Sequence, residues 1–238
     1  MHTQLIHYAH EEQELEGYLA HRSDAQPGLP VVMVVHAWGG LDDFARRKAE
    51  ALASLGYIGF AIDLYGKGRR GGSPQENRAL MTPLMENRAL LRDRLGAAVN
   101  EARQLPIADP QRLAAIGFCF GGLAALDMAR AGFHGVRGVV AFHGLLSAPE
   151  IGAVAPMATK VLALHGYDDP LATPDQVLAF ANEMTAADAD WQLHMYGGTA
   201  HAFTNPAAAA PDDGLQYDPV AEERSWASMR LFLEEIFA

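Results

Sequence analysis

Cys119 is the only cysteine of the chain, and it stands at the centre of Gly117-Phe118-Cys119-Phe120-Gly121-Gly122, after a β-like run and before a helix-like one. That setting matches a nucleophile elbow, a strand-to-helix turn that holds its reactive residue in a strained backbone conformation. The residues two positions away on either side must then be small. Gly117 and Gly121 occupy those positions. The turn also sets the sulfur at a helix N-terminus, where unpaired N–H groups and the helix dipole favour thiolate over thiol. A lone cysteine is more often a small buried hydrophobe; the flanking glycines argue for a nucleophile.

Such a nucleophile needs a base to take its proton and a carboxylate to hold that base in one tautomer. Of the ten histidines, His201 lies in a loop between a strand-like run (191–196) and the final helix, among Gly197, Gly198, Thr199 and Ala200, small residues that leave its ring accessible. The carboxylate belongs at the carboxyl end of the sheet, where a strand-like run leads through His165, Gly166 and Tyr167 to Asp168 and Asp169. Asp169 is the better candidate. Nucleophile, acid, histidine in that sequence is the chain order of the α/β-hydrolase architecture.

The elements that must position these residues follow from short patterns. Segments near 4–8 and 15–21 read as an antiparallel hairpin at a sheet edge. Runs at 31–35, 58–62, 113–116, 136–142 and 161–164 are continuously apolar, as strands covered on both faces are. Helix-like stretches at 42–55, 74–104, 121–131, 174–186 and 219–237 separate them. Strands alternating with helices imply an α/β fold: a mostly parallel central sheet of about eight strands with helices on both faces and right-handed crossovers. No linker or internal repeat divides the chain, so residues 1–238 are expected to form a single domain. Gly66 to Ser73 is glycine-rich and basic but lacks the ending of a phosphate loop.

Composition narrows the partners. A formal net charge of −11, from 18 Lys+Arg against 29 Asp+Glu, argues against nucleic acid or an anionic membrane. One cysteine excludes an intrachain disulfide, and the N-terminus shows no cationic patch followed by an apolar run. No apolar run approaches the roughly 20 residues of a membrane span. A cytoplasmic protein is expected. No His-Glu-x-x-His pattern, cysteine cluster or EF-hand loop occurs, and Gly39-Gly40 is not a dinucleotide fingerprint, so neither a metal nor a cofactor is implied.

The elbow, together with Asp63-Leu64-Tyr65, His165-Gly166 leading to Asp169-Pro170, and His201-Ala202-Phe203, resembles the dienelactone hydrolases, a cysteine-dependent branch of the α/β-hydrolases. The resemblance covers nearly the whole chain. It implies a triad of Cys119, Asp169 and His201, with an oxyanion hole formed by the backbone N–H groups of Phe120 and Ala37. The spacing to Pro170 and Thr173 in that motif favours Asp169 over Asp168. Two departures stand out. The family's glutamate that contacts the resting cysteine is replaced by His36, and Thr204, Asn205 and Pro206 stand where the family carries a substrate-binding arginine after the catalytic histidine. Arg69, Arg70 or Arg78 could replace that charge, although such runs are more often solvated faces.

His36, Trp38 and Phe118 are expected to line the substrate pocket. His143, His165 and His194, in or beside strands, are set aside as more often structural. The sequence therefore points to a hydrolase of neutral carboxylic esters or lactones working through a thioester. Alternatives are promiscuous cleavage of other activated neutral esters such as phosphotriesters, or a non-catalytic binding protein or thiol sensor on the same fold. The oligomeric state is left open.

Overall fold

The structure, a computed structural model, describes residues 1–150 and 155–238. The apolar runs become strands because each can bury both faces. Strands β1 (His2–His10), β2 (Gln13–His21), β3 (Leu29–Val35), β4 (Ile58–Ile62), β5 (Ala108–Phe118), β6 (Val136–Phe142), β7 (Lys160–Gly166) and β8 (Trp191–Tyr196) form one sheet in the order β1-β2-β4-β3-β5-β6-β7-β8. The β1–β2 hairpin and the β2–β4 pair are antiparallel, and every pairing from β4 to β8 is parallel. The expected α/β architecture is the one observed.

Period-two alternation sorts the buried side chains into two layers. Val31, Met33 and Val35 of β3 and Leu113 and Ala115 of β5 pack toward α2 (Pro74–Glu86), α3 (Arg88–Gln104), α4 (Phe120–Ala131) and α5 (Pro174–Ala186). Val32 and Val34 of β3, and Ala114, Ile116 and Phe118 of β5, face the other way, toward α1 (Asp43–Ser54) and α6 (Pro219–Phe237). Truncating one such fully buried Leu or Ile to Ala typically costs about 2–5 kcal/mol, since a cavity adds to the lost transfer energy.

The long helical region read at 74–104 is broken in two. Asn87 leaves helical geometry at φ −125°, ψ 82°, and its side chain accepts a hydrogen bond from Leu90 N–H, capping α3. Leu91, Leu95, Ala98, Val99 and Ala102 then seat α3 in the core, whereas α2 buries only Leu84. No helix of the described residues is long and apolar enough to cross a membrane.

The topology locates the site. Strands β3 and β5 are neighbours, and the chain leaves β3 toward β4 but leaves β5 toward β6, so their crossovers run in opposite directions. The carboxyl ends of β3 and β5 open there into the loops carrying Ala37 and Cys119, the place where open α/β sheets bind ligands.

Candidate active site

Cys119 separates β5 from α4 and has φ 58°, ψ −117°, a conformation that side chains rarely adopt. The glycines explain how it is tolerated. A methyl group on Gly117 would overlap the Gly121 carbonyl, and one on Gly121 would overlap the carbonyls of Val35 and His36. The elbow is anchored by Cys119 N–H donating to Phe142 O at 3.1 Å and by Gly122 N–H donating to Cys119 O at 2.9 Å. The Cys119 side chain is half-buried.

His201 and Asp169 are brought together. Nδ1 of His201 donates to Asp169 Oδ2 at 2.7 Å, and each residue is 2% exposed. Asp169 is aimed by Leu171 N–H, which donates to its Oδ1 at 2.8 Å. Asp168 is exposed on the surface. The His201 loop is pinned by a bridge to a second, short segment: His201 N–H donates to Gly214 O at 2.9 Å and Gln216 N–H donates to His201 O at 3.0 Å. With Nδ1 committed to the carboxylate, Nε2 is buried with no hydrogen bond of regular geometry. The ring nonetheless feels the sulfur. Burial works against the imidazolium, but the charge of Cys119, the hydrogen bond to Asp169 and hydrogen bonding to Cys119 carry the His201 pKa up to about 10. His201 Nε2 is thus without a hydrogen-bond partner, and catalytic hydrogen bonds often tighten only once substrate is bound.

The two candidate oxyanion donors are free. Neither Phe120 N–H nor Ala37 N–H donates to any described residue. The His36 carbonyl packs against Gly121. In a trans peptide the Ala37 N–H points the opposite way from that carbonyl. The turn around Ala37 is held from two sides. His36 Nδ1 donates to Ala37 O at 2.7 Å, while its Nε2 accepts from Leu64 N–H at 3.2 Å; Tyr65 OH donates to Trp38 O at 3.0 Å. Burial lowers the His36 pKa, which keeps the ring neutral as this bonding requires.

Two pocket expectations need correction. His36 has both ring nitrogens engaged by backbone and none left for a ligand. Phe118 faces the α1/α6 layer, stacked on Phe142 at 4.8 Å and edge-on to Phe44 at 5.0 Å, because it continues the Ala114, Ile116 face of β5. Trp38 is half-buried against the opposite layer, on the side of Phe120. Tyr65 lies on this side too: its ring stacks over Phe120 at 6.0 Å, and burial, then the charge of Cys119, raise its pKa.

The remaining candidates are engaged elsewhere or exposed. His194 bonds Ser228 at 3.2 Å, and Arg70 and Arg78 are exposed. Arg69 donates to Tyr65 O at 3.3 Å. Thr204 is buried, and Asn205 Oδ1 accepts from Ala207 N–H at 3.0 Å, so the segment after His201 carries no cation. Among the described residues no three His, Cys, Asp or Glu side chains converge as metal ligands would.

Comparison with known proteins gives a consistent picture. The profile of the dienelactone hydrolase family matches residues 15–237. Among solved structures, m3DLH superposes with a TM-score of 0.93 at 38% identity over 100% of this chain and 99% of that one. A dienelactone hydrolase-like promiscuous phosphotriesterase from metagenomic libraries gives 0.92 at 31% identity, with the same two coverages of 100% and 99%. A candidate carboxymethylenebutenolidase of Aquifex aeolicus is 27% identical over 206 residues, 85% of this chain and 87% of the relative.

Proposed function

Because the chain belongs to the dienelactone hydrolase family and is an ester or lactone hydrolase, we propose that it cleaves neutral carboxylic esters or lactones through Cys119, His201 and Asp169 by way of a thioester. The observation that carries this reading is the His201–Asp169 hydrogen bond of 2.7 Å, which leaves the other ring nitrogen of His201 unpartnered, together with a cysteine held in an elbow whose charge raises the His201 pKa.

His201 Nε2 takes the Cys119 proton, and the sulfur attacks the carbonyl carbon. The electron pair displaced onto oxygen is met by Phe120 and Ala37 N–H; losing one such donor typically costs about 10²-fold or more in rate. Collapse breaks the C–O bond, the imidazolium protonates the departing alkoxide, and a thioester remains. At that moment the Cys119 charge, first among the influences that raise the His201 pKa, disappears. Burial then works against the imidazolium with only Asp169 left to favour it, and the neutral ring that has given up its proton becomes the base for an incoming water. Water attack and expulsion of the sulfur, which regains its proton, close the cycle.

The absence of a cation at Thr204, Asn205 and Pro206 supports an uncharged substrate. A neutral phosphotriester is a second substrate class, favoured by the 31% identity over the full chain to the promiscuous phosphotriesterase. There the sulfur would displace an aryloxide from phosphorus before water releases the phosphodiester. Assaying an aryl ester and a neutral phosphotriester side by side on wild type and Cys119→Ala tests both: each activity that uses the sulfur vanishes in the variant, and survival of both removes the proposal. Iodoacetamide distinguishes a thiol sensor, which would be labelled at Cys119 with no hydrolysis to lose, whereas in the enzyme labelling and activity fall together.

A further inference from the structure

A second imidazole is buried against the first. His143 directly follows β6, and its ring centroid lies 5.0 Å from that of His201 with the planes at 68°. It also meets the Phe203 ring edge-on at 5.1 Å, and its Nε2 lies 2.8 Å from Thr204 Oγ1. His143 therefore holds the segment carrying the base at three points. Its Nδ1 is buried without a partner. The tautomer with its proton on Nε2 donates to Thr204 and leaves Nδ1 as an empty acceptor, a smaller loss than an orphaned N–H.

The backbone at His143 is strained as well, with φ 37°. Five non-glycine residues of the described chain have positive φ, and three of them, Cys119, His143 and Ala202, belong to this site. Such conformations persist only where the surroundings enforce them, and they gather at functional positions. The enforcement here comes from both neighbouring strands: His143 N–H donates to Leu164 O at 2.8 Å on β7, while the preceding Phe142 O accepts from Cys119 N–H at 3.1 Å. A residue kept only to fill space would need neither the strain nor an unpaired nitrogen.

We propose that His143 is a positioning residue for the base, bracing the His201 ring so that Nε2 stays toward Cys119 while Nδ1 stays on Asp169. The physical need is specific. A single hydrogen bond to Asp169 fixes one atom of the ring but leaves its plane free to turn about that bond; a ring packed against it removes that freedom. The charged and titratable groups facing His143 are His201, Lys48 and His165, with Asp169 acting on His201 and His165. Burial, then His201, Lys48 and His165, hold its pKa well below the ordinary value, so it does not compete with His201 for the proton. This inference rests on the reading of His201 as the base.

The test uses the full chain with His143→Ala, His143→Phe, Thr204→Val and His201→Asn. It measures kcat and KM on a p-nitrophenyl ester, thermal stability, and the pH dependence of Cys119 alkylation by iodoacetamide. For His143→Ala, kcat is expected to fall roughly 10- to 100-fold, the cost of a misplaced catalytic group, with KM little changed. Its alkylation profile should move toward that of His201→Asn. The Phe variant keeps the ring and is expected to recover to within about tenfold of wild type, with Thr204→Val losing a comparable factor. Wild-type kcat and alkylation profiles in the Ala and Val variants, or a loss confined to stability and KM, overturn the proposal while leaving the base assignment intact if His201→Asn is inactive. An active His201→Asn overturns the base assignment and His143's role with it. Should His143→Ala not fold, unchanged kcat and an unchanged alkylation profile in Thr204→Val are decisive against it.

Discussion

The α-carbon of Gly121 lies so close to the carbonyl of His36 that no side chain fits between them. That contact joins the start of the helix after Cys119 to the turn carrying Ala37, the second candidate oxyanion donor, and sets which way the Ala37 N–H faces. The two halves of the proposed oxyanion hole are therefore built as one unit.

Gly121→Ala tests this coupling. Its methyl would overlap the carbonyls of Val35 and His36, and overpacking backbone against backbone is expected to cost about 1–3 kcal/mol or more. Chemical denaturation should show that loss, and kcat should fall further than KM rises in protein that remains folded.

His36→Leu removes the bonds to Ala37 O and Leu64 N–H at once. A buried N–H left unsatisfied costs about 1–3 kcal/mol, so the denaturation midpoint should drop. Activity should fall through displacement of Ala37, with the pH profile unmoved, since the neutral His36 takes no proton in the cycle.

Asp169→Asn keeps the shape and loses the charge. Its amide can present a donor to Nδ1 and favour the wrong tautomer, an effect worth roughly 10²- to 10⁴-fold in kcat. Steady-state rates on a p-nitrophenyl ester check this, and a variant within threefold of wild type would remove Asp169 from the mechanism. The corresponding change at the exposed Asp168 should leave kcat as it is.

The pH dependence follows from His201. Its folded pKa, about 10, lies above the ordinary 6.5, so the native state favours the cation. The stability this contributes is fully present below pH 6.5 and is lost as pH rises through about 10. The same titration removes the proton needed by a leaving alkoxide. Alkyl ester cleavage should therefore fall on an alkaline limb near pH 10, whereas p-nitrophenyl esters, whose leaving group needs no proton, should hold their acylation rate.

Much of this site was legible from residue order. The Gly117 to Gly122 pattern has few backbone solutions besides the elbow, and the alternation of apolar runs with helices implied the sheet that carries it. The facing of Phe118 was available too, since Ala114, Ile116 and Phe118 alternate onto one side of β5, but proximity to Cys119 outweighed that count. The bracing by His143 left no local signal. It depends on a hydrogen bond to Thr204 across 61 residues and on a backbone angle that only the packed sheet enforces. His36 was ambiguous for a similar reason, because its partner Leu64 lies on a different strand's loop.

Rapid-quench mass spectrometry of the protein mixed with a p-nitrophenyl ester addresses the central claim most directly. The account requires one acyl group on Cys119 within the first turnover, persisting longer in His201→Asn than in wild type and absent from Cys119→Ala. Full hydrolysis with no acyl group ever found on Cys119, or undiminished turnover in Cys119→Ala, would contradict it.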